Sequence, residues 1–380
     1  MKLIYIANMR LPTDKAHGIQ IMKMCEAFAL QGIDVELIVP TKKSAFSGTE
    51  VFKYYGVKEI FKITKVPCSD LLGKTMAFGK SCYFIDLITF IFGLYWKNLD
   101  KGSVIYSRDP MLLIPFLYRK YRIRAEIHSL PAHRYLFFKL LNAASNIIVV
   151  TKYLKNELVE NGFSAEKIIV APDAVDIEAF DITISKKDAR LKLDLPEDRV
   201  LVGYVGMFRT MGMEKGINTA IRSLKFWGDG IMLVLVGGNL KDIDFYKRSA
   251  KDLGVIDKVM FVGRVTHDVI PLYLKAFDIF IAPFPDNKHY KYYMSPLKIF
   301  EYMAGGRPII TSDLPSIREI LSEKNSTLVK PNNPEALAQG VHYLLDTRNL
   351  AQKLSHQAFQ DVKQYTWSKR ARSIISFAKR

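Results

Sequence analysis

Residues Asp278–Thr311 read DIFIAPFPDNKHYKYYMSPLKIFEYMAGGRPIIT. The opening run, Asp278–Ala282, is short and apolar, as a strand covered on both faces requires. Pro296 fits a first helical turn, where its missing N–H costs nothing. The helix then runs Leu297–Met303, and Gly305 and Gly306 stop it. Arg307–Thr311 repeats the buried-strand pattern. Strand, helix and strand in this order make a βαβ unit, and a series of such units specifies a parallel sheet with helices on both faces.

The same alternation extends in both directions. Upstream in the second half lie the runs Val200–Val205, Ile231–Val236 and Lys258–Val262, and downstream lies Thr327–Val329. The first half carries Lys2–Ala7, Asp34–Val39, Ser103–Tyr106, Ile123–Ile127, Asn146–Val150 and Lys167–Val170. Helical periodicity separates them over Ile19–Leu30, Thr75–Trp96 and Lys152–Glu160. Residues 181–199 are polar, mixed in charge and contain Pro196, which reads as a linker. Two helical stretches, Pro334–Leu345 and Leu350–Lys379, end the chain. The expected fold class is therefore α/β, with two Rossmann-like doubly wound domains over 1–178 and 179–365. A ligand is expected in a cleft between them, at the carboxyl ends of the strands.

Bulk properties narrow the function classes. The 380 residues suit two domains, and the formal net charge of +17 is spread over both halves. Such a charge suits phosphorylated ligands, anionic membranes or nucleic acid. Cys25, Cys68 and Cys82 form no CxxC pair, which argues against a disulfide framework or a zinc site and favours a cytoplasmic setting. The most membrane-like run, Cys82–Trp96, contains Asp86 and is too short to span a bilayer. It reads as a buried or interfacial helix.

Four segments after predicted strands have the chemistry of a site. Asn8–Gln20 is a long connection, and Gly18 would let the backbone approach a ligand. His128 ends the strand Ile123–Ile127, where it is either a structural histidine or a group of the site. Gly203–Gly216 (GYVGMFRTMGMEKG) offers glycines with Arg209 and Lys215, a set suited to a diphosphate but neither a Walker loop nor GxGxxG. In Lys291–Ile310, the amides of Ser295, Leu297 and Lys298 open a helix and can meet an anion. Glu301, one turn on, is either a ribose-binding carboxylate or a solvated helix residue.

Taken together, these segments resemble a known family. Ser295–Pro308 (SPLKIFEYMAGGRP) is similar to the donor-binding signature of GT-B glycosyltransferases of family four, a group of retaining enzymes. The Gly18 loop, His128, Pro172–Asp176 and the Lys215-Gly216 loop follow in matching order, and Trp367 lies in a C-terminal helix that in this family crosses back onto the first domain. The resemblance implies that the first domain takes the acceptor and the second the nucleotide-sugar. It implies that Glu301 binds the donor ribose and that Leu297 and Lys298 hold the diphosphate through their amides. By the same resemblance Arg209 or Met207 takes the phosphate-binding Arg position and Lys215 the matching Lys. It sets His128 close to the transferred sugar and Gly18 near the diphosphate. Arg264, Tyr293, Ser295 and Pro296 complete the expected donor side. The family's first motif glutamate falls on Tyr293, a departure that touches the identity of the sugar.

The expected reaction is transfer of a sugar from a nucleotide-diphospho-sugar to an acceptor hydroxyl, with retention. Arg209, Lys215 and the helix start near Leu297 would stabilise the leaving diphosphate, so no metal or other cofactor is required. The string Asp242-Ile-Asp244 falls in a helical region, away from the phosphate loops. Rival readings are a basic nucleic-acid-binding protein, although no recognition motif is visible, and a nucleotide-sugar binder that has lost catalysis. The acceptor is a glycan or a lipid-linked molecule. Met111–Tyr118, followed by Arg119, Lys120, Arg122 and Arg124, and His133–Ala144 are either core helices or contacts with an anionic membrane.

Overall fold

The computed structural model describes residues 1–46, 48–71, 79–119, 121–210 and 212–378. The chain forms two compact units, Met1–Asp173 with Trp367–Arg380, and Ala174–Thr366. Both are parallel α/β layers of the Rossmann type. The expected boundary at 178/179 falls inside a short helix, Ile177–Phe180, of the second unit.

Unit 1 is built on β1 (Lys2–Ile6), β2 (Asp34–Pro40), β3 (Lys62–Val66), β4 (Val104–Ser107), β5 (Arg122–Ile127), β6 (Asn146–Val149) and β7 (Ile168–Val170). Their order is β3-β2-β1-β4-β5-β6-β7, with every neighbouring pair parallel. Leu3, Ile4, Tyr5 and Ile6 are fully buried, which follows from helices covering both faces of the sheet. Strand β3 escaped the sequence reading because KITKV is an edge strand with outward lysines and no apolar run. Order reverses at β1, whose neighbours are β2 and β4, so the carboxyl ends of β1 and β4 flank a topological switch point.

Unit 2 contains β8 (Val200–Val205), β9 (Arg209–Thr210), β10 (Met213–Glu214), β11 (Ile231–Val236), β12 (Val259–Gly263), β13 (Ile279–Ala282), β14 (Ile309–Ser312) and β15 (Thr327–Val329). The main sheet runs β12-β11-β8-β13-β14-β15, all parallel, and β9 and β10 make a small separate hairpin. Its switch point lies between β8 and β13. Large buried side chains such as Phe277, Phe280, Tyr302 and Phe300 fill one face, and Tyr204, Phe208 and Tyr246 the other.

Three segments depart from the sequence reading. The stretch 181–199 is not a linker: helix Lys186–Lys192 sits in unit 2, and the buried Arg190 donates to the Ala276 carbonyl and to Asp278. Backbone carbonyls of Pro196, Glu197 and Arg199 also receive this guanidinium, which composition cannot show. The final stretch is two helices, Arg348–Val362 and Trp367–Phe377, and the break separates the units. Helix Trp367–Phe377 packs on helix Ala16–Leu30 within unit 1. Met111–Tyr118 is mostly core, since Leu112, Leu113 and Phe116 are fully buried in the 3-10 helix Pro110–Phe116. Lys120, the start of Thr75–Trp96 and Lys379 lie outside the described residues. Among the described residues no helix is long and apolar enough to cross a membrane.

Candidate functional site

In unit 2 the loops at the switch point converge. After β8 the chain passes Gly206, folds the β9–β10 hairpin and closes with the Lys215 amide donating to the Phe208 carbonyl at 3.0 Å. Gly216 follows with φ +86°, and a Cβ there would run into the Pro283 carbonyl just beyond β13. Only glycine permits both the left-handed backbone and this approach. The β8 and β13 loops are thus clamped together, with Lys215 at the junction.

Lys298 sits in the first turn of helix Leu297–Gly305 and is buried. Its Nζ lies 3.5 Å from the centre of the Tyr204 ring and has no hydrogen-bond partner among the described residues. A Cβ on Gly206 would lie 3.1 Å from that Nζ. Burial pushes the Lys298 pKa well down, the nearby Lys215 charge adds to this, and Glu301 opposes it. Burial also lowers Lys215, to about 8. Burial opposes an ammonium at either lysine, and the Lys215 charge further opposes one at Lys298. An anion between them reverses the sign. His289, lowered by burial and by Lys215, faces the same place.

This gives a pH signature. The Lys215 ammonium is lost as pH rises through about 8, so affinity for a phosphate-bearing ligand is expected to fall there. Stability moves oppositely. The folded pKa lies below the ordinary value of 10.5, so the unfolded chain binds more protons between the two and stability rises with pH in that window. Titration calorimetry with pyrophosphate and denaturant melts from pH 7 to 10 test both slopes. Lys215→Gln should flatten them, and an unchanged binding slope in that variant would refute the assignment.

The other expected donor-side residues lie in several places. Pro296 occupies the capping position in extended conformation, one residue before the helix, and the helix runs on to Gly305. Ser295 immediately precedes it, and Leu297 begins the helix. Glu301 is not a solvated residue: its carboxylate lies 3.1 Å from His267 Nε2. His267 holds it in one direction, a partner that no sequence motif announced. Arg264 donates from Nε to the Gly238 carbonyl at 3.3 Å, so it stands at the loops after β11 and β12. Tyr293 is buried in the turn His289–Tyr293, with Lys288 Nζ 5.7 Å from its ring centre. Arg209 leans away onto helix Leu240–Asp252, over Phe245 at 4.7 Å and 3.8 Å from Asp242. Its hydrogen bond with Tyr246 raises its pKa. Asp242 thereby serves as a counter-ion to Arg209, consistent with its place outside the phosphate loops.

Unit 1 gathers a second cluster at its own switch point. Glu126 is fully buried and accepts from Arg370 Nη2 at 3.0 Å, Gln20 Nε2 at 2.8 Å and the Tyr106 hydroxyl. His128 Nε2 lies 2.6 Å from the same carboxylate. Burial alone would raise the Glu126 pKa; Arg370, then His128 and Arg108, hold it well below the usual carboxylate range. The His128 pKa is lowered by burial and Arg108, against the pull of Glu126. A neutral imidazole facing an ionised carboxylate carries its proton on Nε2, which leaves Nδ1 as an acceptor. Glu126, His128 and Asp173 have metal-ligand spacing, but Glu126 already accepts from several donors. His17 joins the cluster, its pKa pushed down to about 4 by burial, Arg108, Lys15 and His128.

Gly18 does not behave as expected. It lies inside helix Ala16–Leu30, not in a loop, and a Cβ there would meet Thr13 Cγ2 at 2.6 Å and the Tyr55 hydroxyl at 2.7 Å. The space that the missing side chain leaves is taken by Tyr55, which bonds the Thr13 amide at 2.7 Å and its carbonyl at 3.0 Å. Arg108, Gln20 and His17 were missed by sequence reasoning. Only the topology brings the ends of β1, β4 and β5 side by side.

Comparison with known proteins supplies the chemistry. Residues 185–361 match the family model described as "Glycosyl transferases group 1". An uncharacterized glycosyltransferase of Methanocaldococcus jannaschii is 27% identical over 343 residues, covering 88% of this chain and 80% of the relative. The chain is a glycosyltransferase. Its fold is GT-B, as in sucrose-phosphate synthase from Thermosynechococcus elongatus, which is 19% identical with a TM-score of 0.79 over 100% of this chain and 98% of the other. The Anabaena protein HepE, solved in complex with UDP, is 16% identical with a TM-score of 0.73, and each chain is covered over 100% of its length. The transferase spans 57% and 60% of the length of two further curated relatives.

Proposed function

We propose that the transferase takes its sugar from a nucleotide-diphospho-sugar and passes it, with retention, to an acceptor hydroxyl in glycan or glycoconjugate synthesis. The observation that carries this reading is the pair of buried lysines, Lys215 and Lys298, at the switch point of unit 2, with Lys298 Nζ lacking a hydrogen-bond partner among the described residues. A leaving diphosphate gains negative charge as the glycosidic bond breaks, and preorganised cations that gain most at that moment accelerate the step. The first amides of helix Leu297–Gly305 add donors of the same sign. No metal enters this account, because the lysines and amides supply the positive charge. Glu301, oriented by His267, is assigned to the ribose hydroxyls, and Arg264 to the donor side. Arg209, which here contacts Asp242 and Phe245, is assigned to the diphosphate after a rotamer change. The unit 1 cluster around His128 is assigned to the acceptor and sugar side.

HepE was solved with UDP, which makes UDP the first nucleotide to test. The deciding measurement is thermal stabilisation by UDP, GDP, ADP and TDP. A ligand at 100 times its dissociation constant adds about 2.7 kcal/mol to stability, a readily measured rise in midpoint. If no nucleoside diphosphate stabilises the protein, the reading fails. Equal turnover with magnesium and with a chelator is expected, and strict magnesium dependence would remove the metal-free part alone. Glu301→Ala is expected to raise the KM for the donor roughly 10–100-fold with a smaller change in kcat, since a bidentate carboxylate contact to ribose acts in ground and transition states alike. A kcat loss without a KM change would reassign Glu301.

A further inference from the structure

Helix Gly79–Trp96 has no charged face over residues 81–96. Cys82, Asp86, Leu87, Phe90 and Leu94 point inward and are buried. The opposite side carries Phe84, Ile88, Phe92 and Trp96 at every fourth position, the last three exposed by 62%, 63% and 71%. Ile85 and Tyr95 widen this row, and both are exposed. From Phe84 to Trp96 the row is about 18 Å long at 1.5 Å per residue. Between residues 81 and 96 the only charged side chain is Asp86. It is turned inward, where it accepts from Ser69 Oγ at 2.8 Å and the Leu71 amide at 2.9 Å. An apolar, aromatic row of this size on a water-facing surface marks a contact with something else.

The surroundings indicate its chemistry. The helix is followed by Lys97 and Lys101, and the Arg119 guanidinium lies 4.5 Å from the centre of the Tyr95 ring. Tyr118, beside it, is 93% exposed. The 3-10 helix Pro110–Phe116 packs against helix Gly79–Trp96, and helix Tyr135–Asn142 packs against that 3-10 helix. The latter helix adds exposed Tyr135 and Leu136 and the cation Lys139, whereas Arg134, which precedes it, is paired with Glu157. The acids of residues 79–142 are Asp86, Asp100, Asp109 and Glu126, of which Asp86 and Glu126 are buried and Asp109 half-buried.

We propose that the outer face of helix Gly79–Trp96 seats on an anionic lipid surface, with the helix lying in the interface and Lys97, Lys101 and Arg119 meeting the headgroups. Tyrosine and tryptophan favour that boundary, and basic residues gain from the negative leaflet. A second copy of the chain fits less well, because a symmetric contact would bring these cations onto their own images.

The test uses the whole protein with vesicles of phosphatidylcholine alone and with added phosphatidylglycerol. Trp227 and Trp367 are buried, so Trp96 reports the event. Binding and a blue shift of emission are expected with anionic vesicles, and the shift should vanish in Trp96→Phe. Phe84→Ser/Ile88→Ser/Phe92→Ser alters only exposed side chains and should abolish flotation with the melting midpoint retained. Lys97→Gln/Lys101→Gln should weaken anionic-vesicle binding by roughly 30-fold. The proposal is overturned if the wild type does not bind. It is equally overturned if the triple serine variant binds as well as the wild type, or if sedimentation velocity shows a dimer that the variant abolishes.

Discussion

Replacing Lys215 by alanine is expected to lower kcat on the order of 100–1000-fold, the usual cost of removing one preorganised donor from a developing anion. Stability should not fall with it. The Lys215 ammonium is buried, and it disfavours a charge on the nearby Lys298. Removing it relieves desolvation and repulsion, so the midpoint of unit 2 should hold or rise. The same opposition is expected of Lys298→Met, which keeps the aliphatic stem over Tyr204 while deleting the charge. Structural lysines behave otherwise, losing stability while sparing kcat. A Lys215→Ala enzyme with full turnover would sink the diphosphate assignment. Measurement of kcat, KM and the melting midpoint on one preparation separates the cases.

The second large effect concerns Glu126. Glu126→Ala removes the carboxylate bonded to the buried Arg370 guanidinium and leaves it the carbonyls of Ala171 and Pro172 and the Asp173 charge nearby. Breaking a buried pair from one side costs about 3–5 kcal/mol, because the remaining charge is uncompensated. Unit 1 should therefore lose stability by that amount in urea. Glu126→Leu combined with Arg370→Met should recover most of it, since both members of the buried pair are then gone. The double variant also separates stability from catalysis. His128 would lose the carboxylate that fixes its ring and tautomer, so turnover should stay low although the fold is restored. Full turnover in the refolded double variant would show that Glu126 acts through the fold alone.

Much of the molecule was legible in the sequence. Twelve predicted strand runs correspond to strands of the two main sheets because strands covered on both faces must be apolar throughout. What was not legible follows a pattern. Edge strand β3 hides because one side of it faces water, so its lysines interrupt the signal. The stretch 181–199 looks like a linker because its polar residues face water, while its one buried cation, Arg190, is held by backbone carbonyls and Asp278. Gly18 looked like a ligand-approach glycine, whereas its space is filled by Tyr55 from a helix far along the chain.

The same division holds at the candidate site. Lys215, Lys298 and Glu301 were visible because loop glycines, a Pro-initiated helix and a Gly stop are local backbone requirements, written within a few residues of one another. Their charge states were not. Desolvation depends on Tyr204 and Phe284 around Lys298, and on the two loops locked at Gly216 and Pro283. The partners His267 of Glu301 and Arg370 of Glu126 come from 34 and 244 positions away. The apolar row of helix Gly79–Trp96 gives the sharpest case. Its sequence is apolar on all sides, and periodicity alone cannot distinguish a helix buried all round from one with a face left open. Only the packing of one side against unit 1, with Asp86 turned inward, leaves the other side free to meet a surface. Local pattern therefore determined which elements form and where their anions could bind, whereas burial and electrostatics, being sums over residues distant in sequence, were decided by the tertiary structure.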